Sequence, residues 1–199
     1  MSDPADAPAA DEPAVDASCE LCGKPLGVPV NYLNDKQACA ACVAQVQADL
    51  VAEIAPANTY PLSFFGALAG ALLGAGVWAG IAIATDFEVG YIAVLVGFLS
   101  GYGAKLAASW KKGHGLQILA AAVSLIGLVA AKYFIASYYV VKAAHNQGAE
   151  ISYLDPEVMK AFLEVLPRML SPFDALWAIL AIGAAYRVPA PTKVSIHTS

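Results

Sequence analysis

Charge is what this sequence has least of. Only 14% of its 199 residues are Asp, Glu, Lys or Arg, against 59% hydrophobic, and mean hydropathy is +0.61. Soluble globular domains carry about a quarter charged residues, so most of this chain is not an ordinary water-soluble domain. The scarcity is uneven. In the first 59 residues Lys24 and Lys36 face nine acids, a net of −7, whereas the other 140 residues hold seven acids and nine bases, a net of +2. Neutralising phosphates needs a basic surface, so an acidic head argues against nucleic-acid binding. The opening residues lack the basic-then-apolar order of a secretory signal, and none is expected. A catalytic set is also missing. His114, His145 and His197 have no acid or nucleophile at a recognisable spacing, and Ser100, beside Gly101, has no histidine in an apolar run to serve as its base. No phosphate-binding glycine loop occurs. The expectation is a protein without catalytic residues and not an enzyme.

Long uncharged runs are what the chain has instead. Residues 62–84 contain no charge. At 1.5 Å per residue they reach about 34 Å, more than a hydrocarbon core of roughly 30 Å. Further spans are expected at about 90–108, 116–141 and 173–188. The last is short, its apolar part reaching only about 21 Å. Ser171-Pro172-Phe173-Asp174 predicts its start, with a serine cap, proline in the first turn and an acid three residues after the cap. Between the third and fourth spans, Val158, Met159, Phe162, Val165 and Leu166 recur at helical steps, predicting an amphipathic helix over 156–166. Spanning segments must satisfy their own backbone hydrogen bonds. The expected fold is therefore an all-α membrane protein, a four-helix transmembrane bundle over 60–189. Residues 1–17, an acidic Ala/Pro tail, are expected to be disordered. Lys105, Lys111 and Lys112 cluster between the second and third runs, while the preceding link carries only Asp86 and Glu88. Positive charge marks the cytoplasmic side. Both termini, including a tail at 190–199, are then expected to be cytoplasmic.

All four cysteines fall in the head, as Cys19-x2-Cys22 and, sixteen residues later, Cys39-x2-Cys42. Each pair presents two thiolates to one ion, and four complete a tetrahedral zinc shell with no open position. Gly23 suits the tight turn after the first pair. The second pair opens a helical pattern through Val43, Val46, Leu50, Val51 and Ile54. A knuckle, a loop or hairpin over 24–38, and a knuckle leading into a helix predict a treble-clef-like zinc finger over 18–58 holding one Zn2+. Its role would be structural, because so small a head lacks the apolar side chains to fold alone. A rubredoxin-like iron site uses similar spacing. Two disulfides are the other alternative, disfavoured on a reducing cytoplasmic side.

Within the spans, Gly66, Gly70 and Gly74 recur every four residues, with Gly76 and Gly80 on a second row, and Gly97 and Gly101 repeat the spacing in the second run. Such stripes let helices approach closely, so they read as packing within the bundle or between protomers. A pore or moving helix interface is the functional alternative. Lys132 is the one charge well inside a run. It is expected to snorkel outward or to pair with Asp174 as a possible intramembrane charge pair.

The head CELCGKPLGVPVNYLNDKQACAAC, the segment EVGYIAVLVGFLSGYGAK and the ending SPFDALWAILAIGAAYRVP together resemble a group of bacterial membrane proteins with an N-terminal C4, B-box-like zinc finger and four transmembrane helices. A B-box holds a second zinc ion through further Cys and His ligands, which this head lacks. The resemblance implies a protein of the bacterial inner (cytoplasmic) membrane. Expected partners are membrane lipid, a protein bound by the zinc finger and, as a homo-oligomer, further copies of the chain. A small transporter or channel component is the alternative.

Overall fold

A computed structural model describes residues 18–87 and 90–198. The expected tail at 1–17 and Glu88 lie outside them. The described residues form six α-helices and three short strands, divided into two units: residues up to Val51 together with Lys193–Ser199, and Ala52–Thr192.

In the first unit, strands β1 (Asn31–Leu33) and β2 (Lys36–Ala38) form a hairpin, with Leu33 opposite Lys36. Asn34 and Asp35 make the two-residue connection, both at positive φ (50° and 67°). Asn and Asp tolerate that region best among residues with a Cβ, and two positive φ values match the right-handed twist of paired strands. Helix α1 (Ala40–Ala52) comes next. Its apolar pattern is only partly used. Val43 is buried and Val46 packs beside it, but Val51 is exposed and Ile54 lies beyond the helix. Among the described residues the buried core of this unit is Cys19, Leu33, Ala38 and Val43, too small to cover a longer helix face.

The tail expected at 190–199 is not simply a tail. Strand β3 (Ile196–Thr198) pairs antiparallel with the free edge of β1, giving the order β2-β1-β3. His197 stacks on Tyr32, with ring centroids 5.0 Å apart and planes 4° from parallel. The Asn34 side chain accepts from the Ser195 backbone N–H, and the Ser195 carbonyl accepts from Asn34.

The second unit is helical. Helix α2 (Tyr60–Thr85) carries proline in its first turn and ends on Asp86 in the left-handed region, the two conformations that suit a helix start and stop. Helix α3 (Ala93–Ala107) leads into a turn in which Ser109 and Trp110 have positive φ. Helix α4 (His114–Asn146) has 33 residues, roughly 50 Å, and overruns the 116–141 expected. Helix α5 (Pro156–Met169) starts on the Asp155 cap. The Ser171–Asp174 capping box then opens α6 (Pro172–Arg187).

Among the described residues three helical segments are long and apolar enough to cross a membrane: Ala57–Thr85, Gly90–Ala107 and His114–Asn146. A fourth crossing of that length exists only if α5 and α6, bent by 101° at their break, count together. The chain is thus a largely helical membrane protein with three or four candidate spans. Side-chain size is sorted as lipid demands. Ala67, Ala71, Ala75, Ala93, Ala104, Ala120, Ala131 and Ala185 are buried, while Phe65, Leu73, Ile118, Leu176 and Ile179 are exposed. In water so much exposed apolar surface would aggregate.

The stripe glycines fix the neighbours. Gly66 faces Gly103, Gly70 faces Leu99 and Gly74 faces Val96, so α2 and α3 are antiparallel. Gly97 faces Ala181 and Gly101 faces Ala185, so α3 and α6 are parallel. Across α4, the Ser100 hydroxyl donates to the Ala120 carbonyl and the Gln117 amide to the Tyr186 carbonyl. The first turn of α4 is held where the Gly113 N–H donates to Pro189. Within this unit, then, the starts of α2 and α4 and the ends of α3 and α6 share one end.

Candidate functional site

The four cysteines converge. Gly23, at φ +71°, lets the chain turn so that its N–H donates to the Cys19 carbonyl at 2.7 Å, and this brings Cys22 back beside Cys19. The hairpin returns the chain to the same place. The Gln37 N–H donates to the Glu20 carboxylate, and the Glu20 N–H to the Gln37 carbonyl. The Cys39 N–H then donates to the Cys19 sulfur at 3.3 Å. Cys42 sits in the first turn of α1.

Sulfurs of Cys19 and Cys42 are 3.8 Å apart, those of Cys22 and Cys39 are 3.7 Å apart, and all four lie within 4.8 Å of one another. Disulfides require about 2.05 Å, so these are four free thiols. A tetrahedron with metal–sulfur bonds of about 2.3 Å has edges of about 3.8 Å, and the two separations match it. The donor set fits a metal ion; iron and zinc share this geometry. Electrostatics point the same way. The backbone N–H of Cys39 lowers the Cys19 thiol to about 6, the figure that remains after partial burial pushes it back up. Contact with the Cys22 and Cys39 sulfurs pushes the Cys42 thiol up to about 12. Four sulfurs this close cannot all ionise unaided, and a divalent cation removes that conflict.

The expected intramembrane charges also meet. Lys132 Nζ lies 2.9 Å from Asp174 Oδ1, with side-chain exposures of 9% and 18%. Asp174 is held from behind by the N-terminal cap of α6, where its carboxylate accepts from the Ser171 N–H at 2.7 Å. The ammonium stands 5.9 Å from the centre of the Trp78 ring. Of the amphipathic residues expected on one face of α5, Val158 and Phe162 are buried against Tyr133, whereas Met159 and Val165 point outward.

Backbone of the neighbouring helices fills the glycine stripes. A Cβ at Gly66, Gly70, Gly74, Gly97 or Gly101 would strike it, while Gly76 and Gly80 face open space. No room for a conduit remains along either filled stripe.

Two features could not be found by sequence reasoning. At the turn between α3 and α4, Lys112 Nζ donates to Glu53 (2.9 Å) and to the Thr192 hydroxyl, which itself donates to Glu53. Lys112 and Thr192 hold the Glu53 carboxyl below its ordinary value. Partners 59 and 139 residues away leave no local signal. The second feature is the placement of Trp78 and Trp177 beside Lys132, since tryptophan in an apolar run reads only as hydrophobic.

No protein-family model, curated protein or solved structure matches the chain.

Proposed function

We propose that this is a non-enzymatic integral protein of a bacterial cytoplasmic membrane, with both ends in the cytoplasm. Its treble-clef-like head holds one structural Zn2+ and serves as a protein-interaction module. The observation that carries the proposal is the group of four sulfurs at tetrahedral spacing on a unit whose own core has four small or medium side chains. Four thiolates leave no open coordination position, which favours structure over catalysis. An ion that organises the head leaves its surface, including the half-exposed Leu21, free to meet a partner. The orientation rests on the shared end that carries Lys105, Lys111, Lys112 and Arg187. A transporter or channel reading draws no support from the glycine stripes, because neighbouring backbone fills them.

Elemental analysis of the purified full chain tests the metal. One zinc per chain, lost in Cys39→Ser, is expected; iron, or no metal, overturns it. Photo-crosslinking in cells from position 21 tests the interaction. A discrete protein adduct that disappears in Cys39→Ser is expected, and its absence from the intact chain refutes the module.

A further inference from the structure

At the break between α5 and α6 two clefts share one wall. The first, about 190 Å³, is apolar, with Trp78, Leu125, Leu128, Leu166 and Leu170 among its lining. The second, about 220 Å³, is more polar and includes Gly90, Ser171 and Phe173. Lys132, Asp174 and Trp177 line both. An apolar lobe and a polar lobe meeting at an ion pair have the shape of a site for an amphiphile.

A second observation points to a ligand. Trp78 is only 3% exposed, and its indole N–H has no hydrogen-bond partner among the described residues. A buried donor is normally satisfied, since leaving one unmade is costly. Trp78 lines the apolar lobe beside Lys132, so an oxygen of a molecule seated there would complete it.

The charges select the kind of head. Lys132 already engages Asp174, and an anionic head that took Lys132 for itself would strand the Asp174 carboxylate in a poorly solvated place. A head carrying both signs meets both residues, phosphate to Lys132 and ammonium to Asp174. Size agrees as well. Neither lobe reaches the roughly 300 Å³ at which small-molecule pockets begin, but a lipid that threads one chain inward and leaves the rest in the bilayer needs less. Depth is also suitable. Trp78 lies one helical turn beyond Gly74, which faces Val96, and so is level with the start of α3, toward the polar edge of the bundle.

We propose that this cleft binds one zwitterionic phospholipid of the phosphoethanolamine type, with its phosphate on Lys132, its ammonium on Asp174 and an oxygen accepting from Trp78. The proposal rests on the bundle being membrane-embedded and is independent of the metal head.

Native mass spectrometry of the full chain in detergent tests it, using phosphatidylethanolamine and phosphatidylglycerol with identical acyl chains. One phosphatidylethanolamine per chain is expected, held roughly tenfold more tightly than phosphatidylglycerol, the size of a single well-made charge contact. Trp78→Phe keeps the ring and removes only the N–H. It should weaken phosphatidylethanolamine roughly three- to tenfold while leaving thermal unfolding of the lipid-free protein in place. Equal retention of the two lipids by the unaltered chain overturns the proposal whatever the variant does, and so does a folded Trp78→Phe protein that binds as the unaltered chain does.

Discussion

Replacing Gly97 by alanine is the sharpest test of how the bundle is held together. The added Cβ would fall on the carbonyl group of Ala181, more than 1 Å closer than real Cβ atoms come. The obstacle is the backbone of α6, which cannot rotate aside as a side chain can, so the whole helix must move away from α3. Overpacking of this kind costs about 1–3 kcal/mol, and a backbone obstacle belongs in the upper part of that range. Against it stands the better helix propensity of alanine, about 1 kcal/mol. The expected net change is a loss of about 1–2 kcal/mol. Gly76→Ala is the control, because nothing lies within 4 Å of its Cβ position. There only propensity acts, and a gain of about 0.5–1 kcal/mol is expected. The same chemical change should therefore differ in sign between the two sites. Unfolding of the detergent-solubilised chain with a denaturing detergent, monitored by tryptophan fluorescence, reads the difference, since Trp177 sits on the helix that must move. If the two variants unfold within about 0.5 kcal/mol of each other, the close approach of α3 and α6 is wrong.

The same contacts predict three other outcomes. Deleting residues 193–199 removes β3, which exposes the edge of β1 and ends the Tyr32–His197 stacking; stacked pairs are worth about 0.5–1.5 kcal/mol beyond area, so a head loaded with the proposed zinc should lose it to a competing chelator several-fold more readily, and unchanged affinity for the metal would count against the strand. The Glu53 carboxyl is held below its ordinary value of 4.5 by Lys112, so its stabilising contribution is complete above that pH and is lost as pH falls through the lowered value; acid unfolding of the intact chain should be steeper below pH 4.5 than that of Glu53→Gln, and superimposable curves would refute the linkage. A double-mutant cycle of Lys132→Met and Asp174→Asn should give a coupling of at least about 1 kcal/mol, because the pair is mostly buried, whereas coupling near zero would mean that the two charges do not meet.

Much of the bundle is legible in the sequence because membrane physics is read from single residues. A run without charge from 62 to 84 needs no partner to be recognised, and α2 matches it closely. The α6 start is equally local, since Ser171, Pro172 and Asp174 carry the capping chemistry themselves. The path of the helix beyond that cap is not local. The 101° break from α5 is set by tertiary packing, so the short apolar run alone does not reveal that α6 reaches spanning length only together with α5. The cysteine spacing announces a four-ligand site, but nothing in the three residues of β3 announces a strand. Its partner β1 lies at the other end of the chain, and three residues carry too little alternation to register. Lys132 and Asp174 are each visible as an isolated charge. The Trp78 donor beside them is not, because an unmet hydrogen bond is a property of the surroundings.

The two units solve opposite problems. The bundle buries mainly alanine and turns most of its leucine, isoleucine and phenylalanine outward, so burial from water cannot be what joins its helices once they lie in lipid. Close contact has to do it, through dispersion and a few polar links such as Ser100 to Ala120. That is why one methyl group at Gly97 should matter more than a larger change on the lipid face. The described part of the head has too little apolar side chain to bury, with Leu33 and Val43 its largest buried members. There the cross-link must come from elsewhere, from four sulfurs placed to hold an ion and from a strand supplied by the far end of the chain. The charge pair at Lys132 fits neither scheme. A membrane bundle packed by small residues does not need it, and an ion pair in so poorly solvated a place is costly to keep. The indole N–H of Trp78 beside the same cleft, unpartnered among the described residues, agrees with the phospholipid proposed there.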